Sequence, residues 1–383
     1  MKIVHISISG AYTDNLSYQE NYLTKYHVIL GHDVYLITSE WMYDDRGNYV
    51  KAANNDYIDC NGVHIFRLKM CGKDNISKRI RRYFGLKEKL EEISPDIIFH
   101  HGCQSPEEAT VAAYCRKHKK VRLFVDNHSD FSNSASNWLS KNIQHKILWK
   151  HYARIINPYV EKFYGVLPAR VDFLIDMYGL PKEKVELLVM GADDELACAA
   201  DNKNVKKKVR DKHNIKEEDF LIMTGGKIDL FKQQTLLLMD AVNAIDSPNV
   251  KLIVFGSVIE DLKDEVRRRC SEKVQYIGWI QSDTSYQYFA ASDLVVFPGR
   301  HSVFWEQVVG QGIPMIVKYW AGTTHVNCGG NVRFLHEDSI FEIQKCIEEV
   351  IDSDTYDFMK CVAINVKEKF LYSQIAKKSI GIV

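Results

Sequence analysis

Along its length the chain alternates short apolar runs with longer amphipathic segments, and this alternation constrains the fold more than any other feature. A strand buried on both faces of a parallel sheet reads as a nearly continuous apolar run, and its parallel neighbour can be reached only through a long crossover, usually a helix. The pattern therefore predicts an α/β protein with parallel sheets. In the first half the strand candidates are Ile3–Ile8, Asp33–Thr38, Gly62–Leu68, Asp96–His100, Val121–Val125 and Gly165–Leu167. In the second half they are Phe220–Thr224, Val250–Phe255, Val274–Ile277, Asp293–Phe297 and Pro314–Lys318.

With 383 residues the chain exceeds the size at which one core keeps growing, so two domains are expected. Gly191-Ala192-Asp193-Asp194-Glu195 and the lysine-rich stretch Asn202 to Lys212 separate the two sets of strands, because few contacts should cross so polar a region. The expected division is 1–195, 196–355 and a helical tail, 356–383, that packs back toward the first domain. Two doubly wound domains in tandem imply a central cleft lined by the carboxyl ends of their strands. The loops Asp126-Asn127-His128-Ser129-Asp130, His100-His101-Gly102 and Pro298-Gly299-Arg300-His301-Ser302 each follow such a strand.

Charge narrows the function. The 50 basic and 50 acidic residues cancel, which argues against a dedicated nucleic-acid binder. Nine cysteines without a Cys-x-x-Cys pair read as thiols of a reducing compartment rather than a metal or disulfide framework. No apolar run approaches the roughly 18 residues of a membrane span, and Lys2–Ile8 reads as a strand rather than a signal peptide. The expectation is a cytoplasmic protein, soluble or resting on a membrane surface, with no cofactor and no metal.

Phe220 to Gly226 brings an apolar run into a glycine turn, followed by Lys227 and, five residues on, Lys232 at the start of a helical segment. Such a turn lets backbone N–H groups and a helix N-terminus face one point, and two ammonium groups add full charge there. The ligand should carry a diphosphate. A solvated surface lysine is the alternative reading of either residue.

Taken in order, several segments resemble the retaining glycosyltransferases of the GT-B type, family four of the group 1 enzymes, especially those building bacterial capsular or other surface polysaccharides. The first-domain signals are Gln19 to Leu23 followed by Leu30-Gly31-His32-Asp33-Val34. In the second domain, Gly226-Lys227 with Lys232 is similar to the family's Gly-Arg-x-x-x-x-Lys, lysine replacing arginine. Gly278 with Asp283, Ala291-Ser292-Asp293 running into Pro298, and Glu306 through Gly312-Ile313-Pro314 resemble its later signals.

The resemblance implies two Rossmann-like domains. The second would bind a nucleotide diphosphate sugar, with UDP the nucleotide the resemblance implies, through Gly225, Gly226, Lys227, Lys232, Gly256, Ile280, His301, Ser302 and Glu306. The first would bind a saccharide or lipid-linked saccharide acceptor near Gly10, His101 and Asp130. His128, Lys227 and Lys232 would be the catalytic groups, the lysines stabilising the leaving diphosphate without a metal. Glu306 is the candidate for the ribose hydroxyls, since a carboxylate can accept from a vicinal diol. Only one of the family's two glutamates is present. Alignment on Gly312-Ile313-Pro314 places Gln307 at the second, so both registers stay open, and His301 and Ser302 stand where the first one's contacts are needed. The alternatives are a sugar-nucleotide epimerase on the same scaffold and a catalytically silent scaffold subunit.

Two further segments bear on function. Lys73 to Leu90 mixes basic residues with Ile76, Ile80, Tyr83, Leu86 and Leu90 at helical spacing, which suits either a helix resting on anionic lipid or one packed on its own sheet. Asp352-Ser353-Asp354 has the form of a metal-binding Asp-x-Asp, but aspartates between two helical segments favour caps and turns.

Overall fold

The computed structural model describes residues 1–44, 46–72 and 81–382. It divides into two compact units: Met1–Val189 together with Ile375–Val383, and Met190–Gln374.

In the first unit the strands are β1 Lys2–Ser7, β2 Asp33–Ser39, β3 Trp41–Tyr43, β4 Tyr49–Lys51, β5 Asp56–Ile58, β6 His64–Leu68, β7 Ile97–His101, β8 Arg122–Asn127, β9 Val160–Gly165 and β10 Val185–Leu187. The main sheet runs β10-β9-β8-β7-β1-β2-β6-β5, and only the edge strand β5 is antiparallel to its neighbour. β3 and β4 form a separate hairpin. The strand order reverses at β1, between β2 and β7, so the loops after β1 and β7 open the crevice where ligands of such sheets sit.

The second unit holds β11 Phe220–Gly225, β12 Val250–Phe255, β13 Val274–Tyr276, β14 Leu294–Phe297, β15 Met315–Lys318 and β16 Val332–Leu335. Its all-parallel order is β13-β12-β11-β14-β15-β16, the 3-2-1-4-5-6 winding of a Rossmann domain. Here the switch point lies between β11 and β14. The β11 residues Leu221, Ile222 and Met223 are fully buried, as a strand covered on both faces requires.

All the expected strands form, with one shift and several additions. Gly165–Leu167 is only the exit of β9, because the alternating Val160-Glu161-Lys162-Phe163 hides its apolar signal. The strands β3, β4, β5, β10 and β16 span only three or four residues each, too short to stand out as apolar runs. The polar stretch near residue 200 is not a linker. It forms the helices Asp194–Ala200 and Lys203–Lys212, the second burying Val209 and sending the Arg210 guanidinium to the carbonyl of Ala291 and the carboxylate of Asp293. The unit boundary therefore falls earlier, at Val189, since Ala192 pairs through its backbone with Phe370 and Tyr372 of the second unit.

The tail is not one helix. Ser353–Val366 and Tyr372–Ser379 are separated by the tight turn Lys367–Phe370. Asp352 caps Ser353–Val366 by accepting from the Asp354 N–H, the turn role its sequence suggested. Of the basic stretch Lys73 to Leu90, residues 73–80 lie outside the described residues; the rest enters the helix Leu86–Ile93, whose Leu86, Leu90 and Ile93 are buried.

Candidate active site

At the switch point of the first unit a buried chain of rings runs inward from β8. His101 Nδ1 lies 2.9 Å from Asp126 Oδ2, and the Gly102 N–H donates to Asp126 Oδ1 at 3.0 Å. His101 Nε2 meets His5 Nδ1 at 3.0 Å, and His5 Nε2 meets His27 Nδ1 at 2.8 Å. His27 Nε2 ends the chain, 3.0 Å from the carbonyl of Ala376 and 3.1 Å from Ser379 Oγ. Alternating sides of a strand explain part of this array: His5 and His101 sit on adjacent parallel strands, β1 and β7, both turned to one face.

Proton counting follows from this geometry. The Ser379 hydroxyl gives its hydrogen to the Ala376 carbonyl at 2.8 Å, so both neighbours of His27 Nε2 accept. The other end of the chain is a carboxylate, which also accepts. Four hydrogen bonds between two accepting ends need four protons, and three neutral imidazoles bring three. The chain therefore holds one additional proton, whose charge balances Asp126. Burial pushes the pKa of His5 well down and that of His27 to about 3, which keeps these two neutral and leaves the charge at the Asp126 end. Burial alone would raise the Asp126 carboxyl, but the His101 and His128 rings hold it far below the usual range.

His128 stands at the outer end. Its side chain is 41 % exposed and its Nε2 is 3.5 Å from Asp126 Oδ2. Burial would lower its pKa, yet the Asp126 carboxylate prevails and raises it, with Glu20 adding to the rise and Arg170 opposing it. The loop beneath is tied down: Asn133 Nδ2 donates to the His128 carbonyl, and Asn127 joins Gln104 and the backbone of Ser129. Asp130 is buried and organises this loop, accepting from the N–H groups of Ser132 and Asn133 and from Arg170 Nε. Of the acceptor-side candidates, His101 is thus part of the internal chain, Asp130 is a loop anchor, and Gly10 is exposed on the loop after β1. His100 is fully buried with no hydrogen-bond partner among the described residues, and burial pushes its pKa down to about 4.

In the second unit a pocket of about 140 Å³ opens at the carboxyl ends of β11 and β12, lined in part by Gly226, Lys227, Gly256, Trp279, Ile280 and Ser285. Gly226 and Gly256 both have positive φ, and a Cβ on Gly256 would collide with the Gly226 carbonyl. Only glycine permits this backbone-on-backbone approach. At 140 Å³ the pocket suits a base or ribose, below the roughly 300 Å³ of a complete small-molecule site. Trp279, 69 % exposed, offers an open ring face at its rim. A larger cavity of about 440 Å³ beside Asp201, Arg210 and Asp293 lies at the amino ends of the strands, the wrong end for a ligand of this sheet.

Lys227 is 59 % exposed and 3.5 Å from the Asp229 carboxylate. The backbone of Lys232 closes a turn onto Asp229 and passes beside Gly299. The missed cation is Arg300, exposed on the loop after β14 with its guanidinium 5.3 Å from the Phe231 ring. Its place at a strand end was the available signal.

Glu306 corrects an expectation. It is fully buried, and its Oε1 accepts from His301 Nε2 and His325 Nε2, each at 2.8 Å, which leaves no exposed oxygen for a ribose. Burial opposes its ionisation, but the two rings hold its pKa down to about 2. His301 and Ser302 likewise turn to internal work, His301 on Glu306 and Ser302 at the start of the helix Phe304–Gly310. Gln307 instead reaches Ser285 Oγ, a pocket wall, at 2.9 Å. The donor atoms of His301, Glu306 and His325 lie within 4.8 Å of one another, a set able to hold a metal ion. Here the two Nε2–H groups already serve the carboxylate.

Residues 21–196 match the family model described as Glycosyltransferase Family 4. The fold is GT-B. The chain is 20 % identical over 223 residues to the uncharacterized glycosyltransferase MJ1607 of Methanocaldococcus jannaschii, a match covering 54 % of this chain and 55 % of that protein. It thus spans about half the length of that curated relative. Among solved structures, a glycosyltransferase from Rickettsia africae superposes with a TM-score of 0.67 at 14 % identity, covering 100 % of this chain and 97 % of that one. Anabaena Alr3699/HepE, solved in complex with UDP, gives 0.66 at 15 % identity, covering 99 % and 98 %. The UDP-GlcNAc 2-epimerase of Neisseria meningitidis, bound to UDP-GlcNAc, gives 0.62 at 13 % identity, covering 100 % and 99 %. Among the described residues of this GT-B chain, no helix is long and apolar enough to cross a membrane.

Proposed function

We propose that the chain is a glycosyltransferase that moves a sugar, with retention and without a metal, from a nucleotide diphosphate sugar to a saccharide or lipid-linked saccharide in surface polysaccharide synthesis. The observation that carries this reading is the glycine crevice at the carboxyl ends of β11 and β12, where Gly226 and Gly256 pack backbone to backbone beside Lys227. Two glycines side by side leave the backbone there bare of side chains, so a sugar nucleotide can approach the backbone N–H groups closely. UDP is the expected nucleotide, in keeping with the UDP seen in the Anabaena protein.

In this reading the pocket takes the base and ribose, with Trp279 against the base and Ile280 at its edge. Lys227, Lys232 and Arg300 stabilise the departing diphosphate. The first unit supplies His128, held by Asp126, at the transferred sugar. The acceptor hydroxyl attacks the face the diphosphate leaves, and the leaving oxygen helps take its proton.

The deciding test is turnover with UDP-sugars. Transfer consumes donor only when an acceptor is present. Interconversion of the UDP-sugar without acceptor would establish the epimerase reading, which the Neisseria structure keeps open because it shares the fold. UDP binding with neither reaction would establish a silent scaffold.

A further inference from the structure

The segment after the His128 loop presents an apolar surface that the described residues leave uncovered. From Phe131 to Val160 there is no aspartate or glutamate, while Lys141, Lys146, Lys150 and Arg154 are all cationic. Ser140–Trp149 forms a wide π-helical coil that turns His145 and Trp149 inward, each 2 % exposed. Its outward side and the residues before it carry Trp138 at 71 %, Leu139 at 62 %, Ile143 at 46 %, Ile147 at 64 % and Leu148 at 43 % exposure. Five large apolar side chains in so short a stretch are more than the scattered exposure of an ordinary surface. A long wide coil is also a strained form of helix that persists mostly where function holds it.

We infer that this face, centred on Trp138 and Ile147, docks the protein on an anionic phospholipid surface. The argument is charge complementarity joined to apolar exposure. Lysines interleaved in sequence with exposed apolar residues are attracted by acidic headgroups, while Trp and Leu enter the boundary between headgroup and acyl chain. A second copy is a poor occupant, because a two-fold contact would bring the same cations together with no acid from this stretch between them. The inference deepens the proposed reading by bringing the first unit to the layer where a lipid-linked acceptor resides, and it rests on that reading only for the acceptor. The docking itself needs no transfer.

Vesicle flotation of the full chain tests it. Vesicles of phosphatidylcholine with about one-third phosphatidylglycerol should carry the protein, and phosphatidylcholine vesicles should carry far less. Removing two surface lysines in Lys141→Gln/Lys146→Gln should weaken binding about thirty-fold, from about 1 kcal/mol per lysine near such a surface. Trp138→Ser/Leu139→Ser should abolish it on either vesicle. Circular dichroism and the UDP-induced rise in melting temperature, measured on each variant, report folding and the donor site separately from docking. No flotation with acidic vesicles would overturn the inference, as would equal binding to both vesicle types. A wild-type dimer dispersed by Trp138→Ser would overturn it too, by assigning the face to a second copy.

Discussion

The Ala376 carbonyl lies 3.0 Å from His27 Nε2, and this contact from the last helix fixes the direction of every hydrogen bond back to Asp126. A carbonyl cannot donate, so His27 must present N–H to it, and the proton order of His5 and His101 follows. With nitrogen-15 labelled histidine, the six ring nitrogens of His5, His27 and His101 should show four protonated and two bare at pH 7. Ser379→Ala should leave that pattern intact. Three bare nitrogens would mean that Ser379 donates to His27 instead.

Acid should unfold the protein early. The folded-state pKa values of His27, His100 and His145 are lowered to about 3, 4 and 4, below an unfolded value near 6.5, so the unfolded chain binds more protons as pH falls. Each such ring contributes stability that is complete above about pH 6.5 and lost toward its folded pKa, at about 1.4 kcal/mol per pH unit. The melting temperature should drop steadily from pH 7 to pH 4, and His27→Gln, if folded, should flatten the slope. A melting temperature that stays level over this range would refute the assignment.

For the diphosphate site, Lys227→Ala, Lys232→Ala and Arg300→Ala should each weaken UDP binding by roughly ten- to a hundredfold, the worth of a charge-assisted hydrogen bond. Uridine binding should hardly change, since it lacks the phosphates. Calorimetry with both ligands distinguishes this from a general loss of the pocket, which would weaken the two alike.

His128→Ala should lower turnover by roughly a hundredfold or more while leaving UDP affinity near normal. The nucleotide contacts all lie in the second unit in this reading. A folded variant with near wild-type turnover would remove His128 from the reaction.

Glu306 should matter for stability more than for metal. Glu306→Ala strands two largely enclosed imidazole N–H groups, a loss of about 3 kcal/mol by thermal unfolding. Chelator should leave transfer unchanged. If activity falls with chelator and returns with a divalent ion, the set formed by His301, Glu306 and His325 is a metal site and the charge argument for the lysines fails.

The sheets were legible because a strand buried on both faces must be apolar whatever surrounds it. The Gly226-Lys227 turn was legible because its conformation demands glycine locally. Both are properties of a few consecutive residues. What the sequence could not show depends on residues far apart meeting. His5, His27, His101 and Ala376 span nearly the whole chain, and nothing near His27 announces a carbonyl from the last helix. The roles of Glu306 and Gln307, one residue apart, were decided by which way the helix Phe304–Gly310 turns, inward to two histidines or toward Ser285. The polar stretch near residue 200 became packed helix because Arg210 found carbonyls and a carboxylate to satisfy it. Local sequence determined which elements form; packing decided which polar groups are buried, and a buried polar group takes its role from its partners.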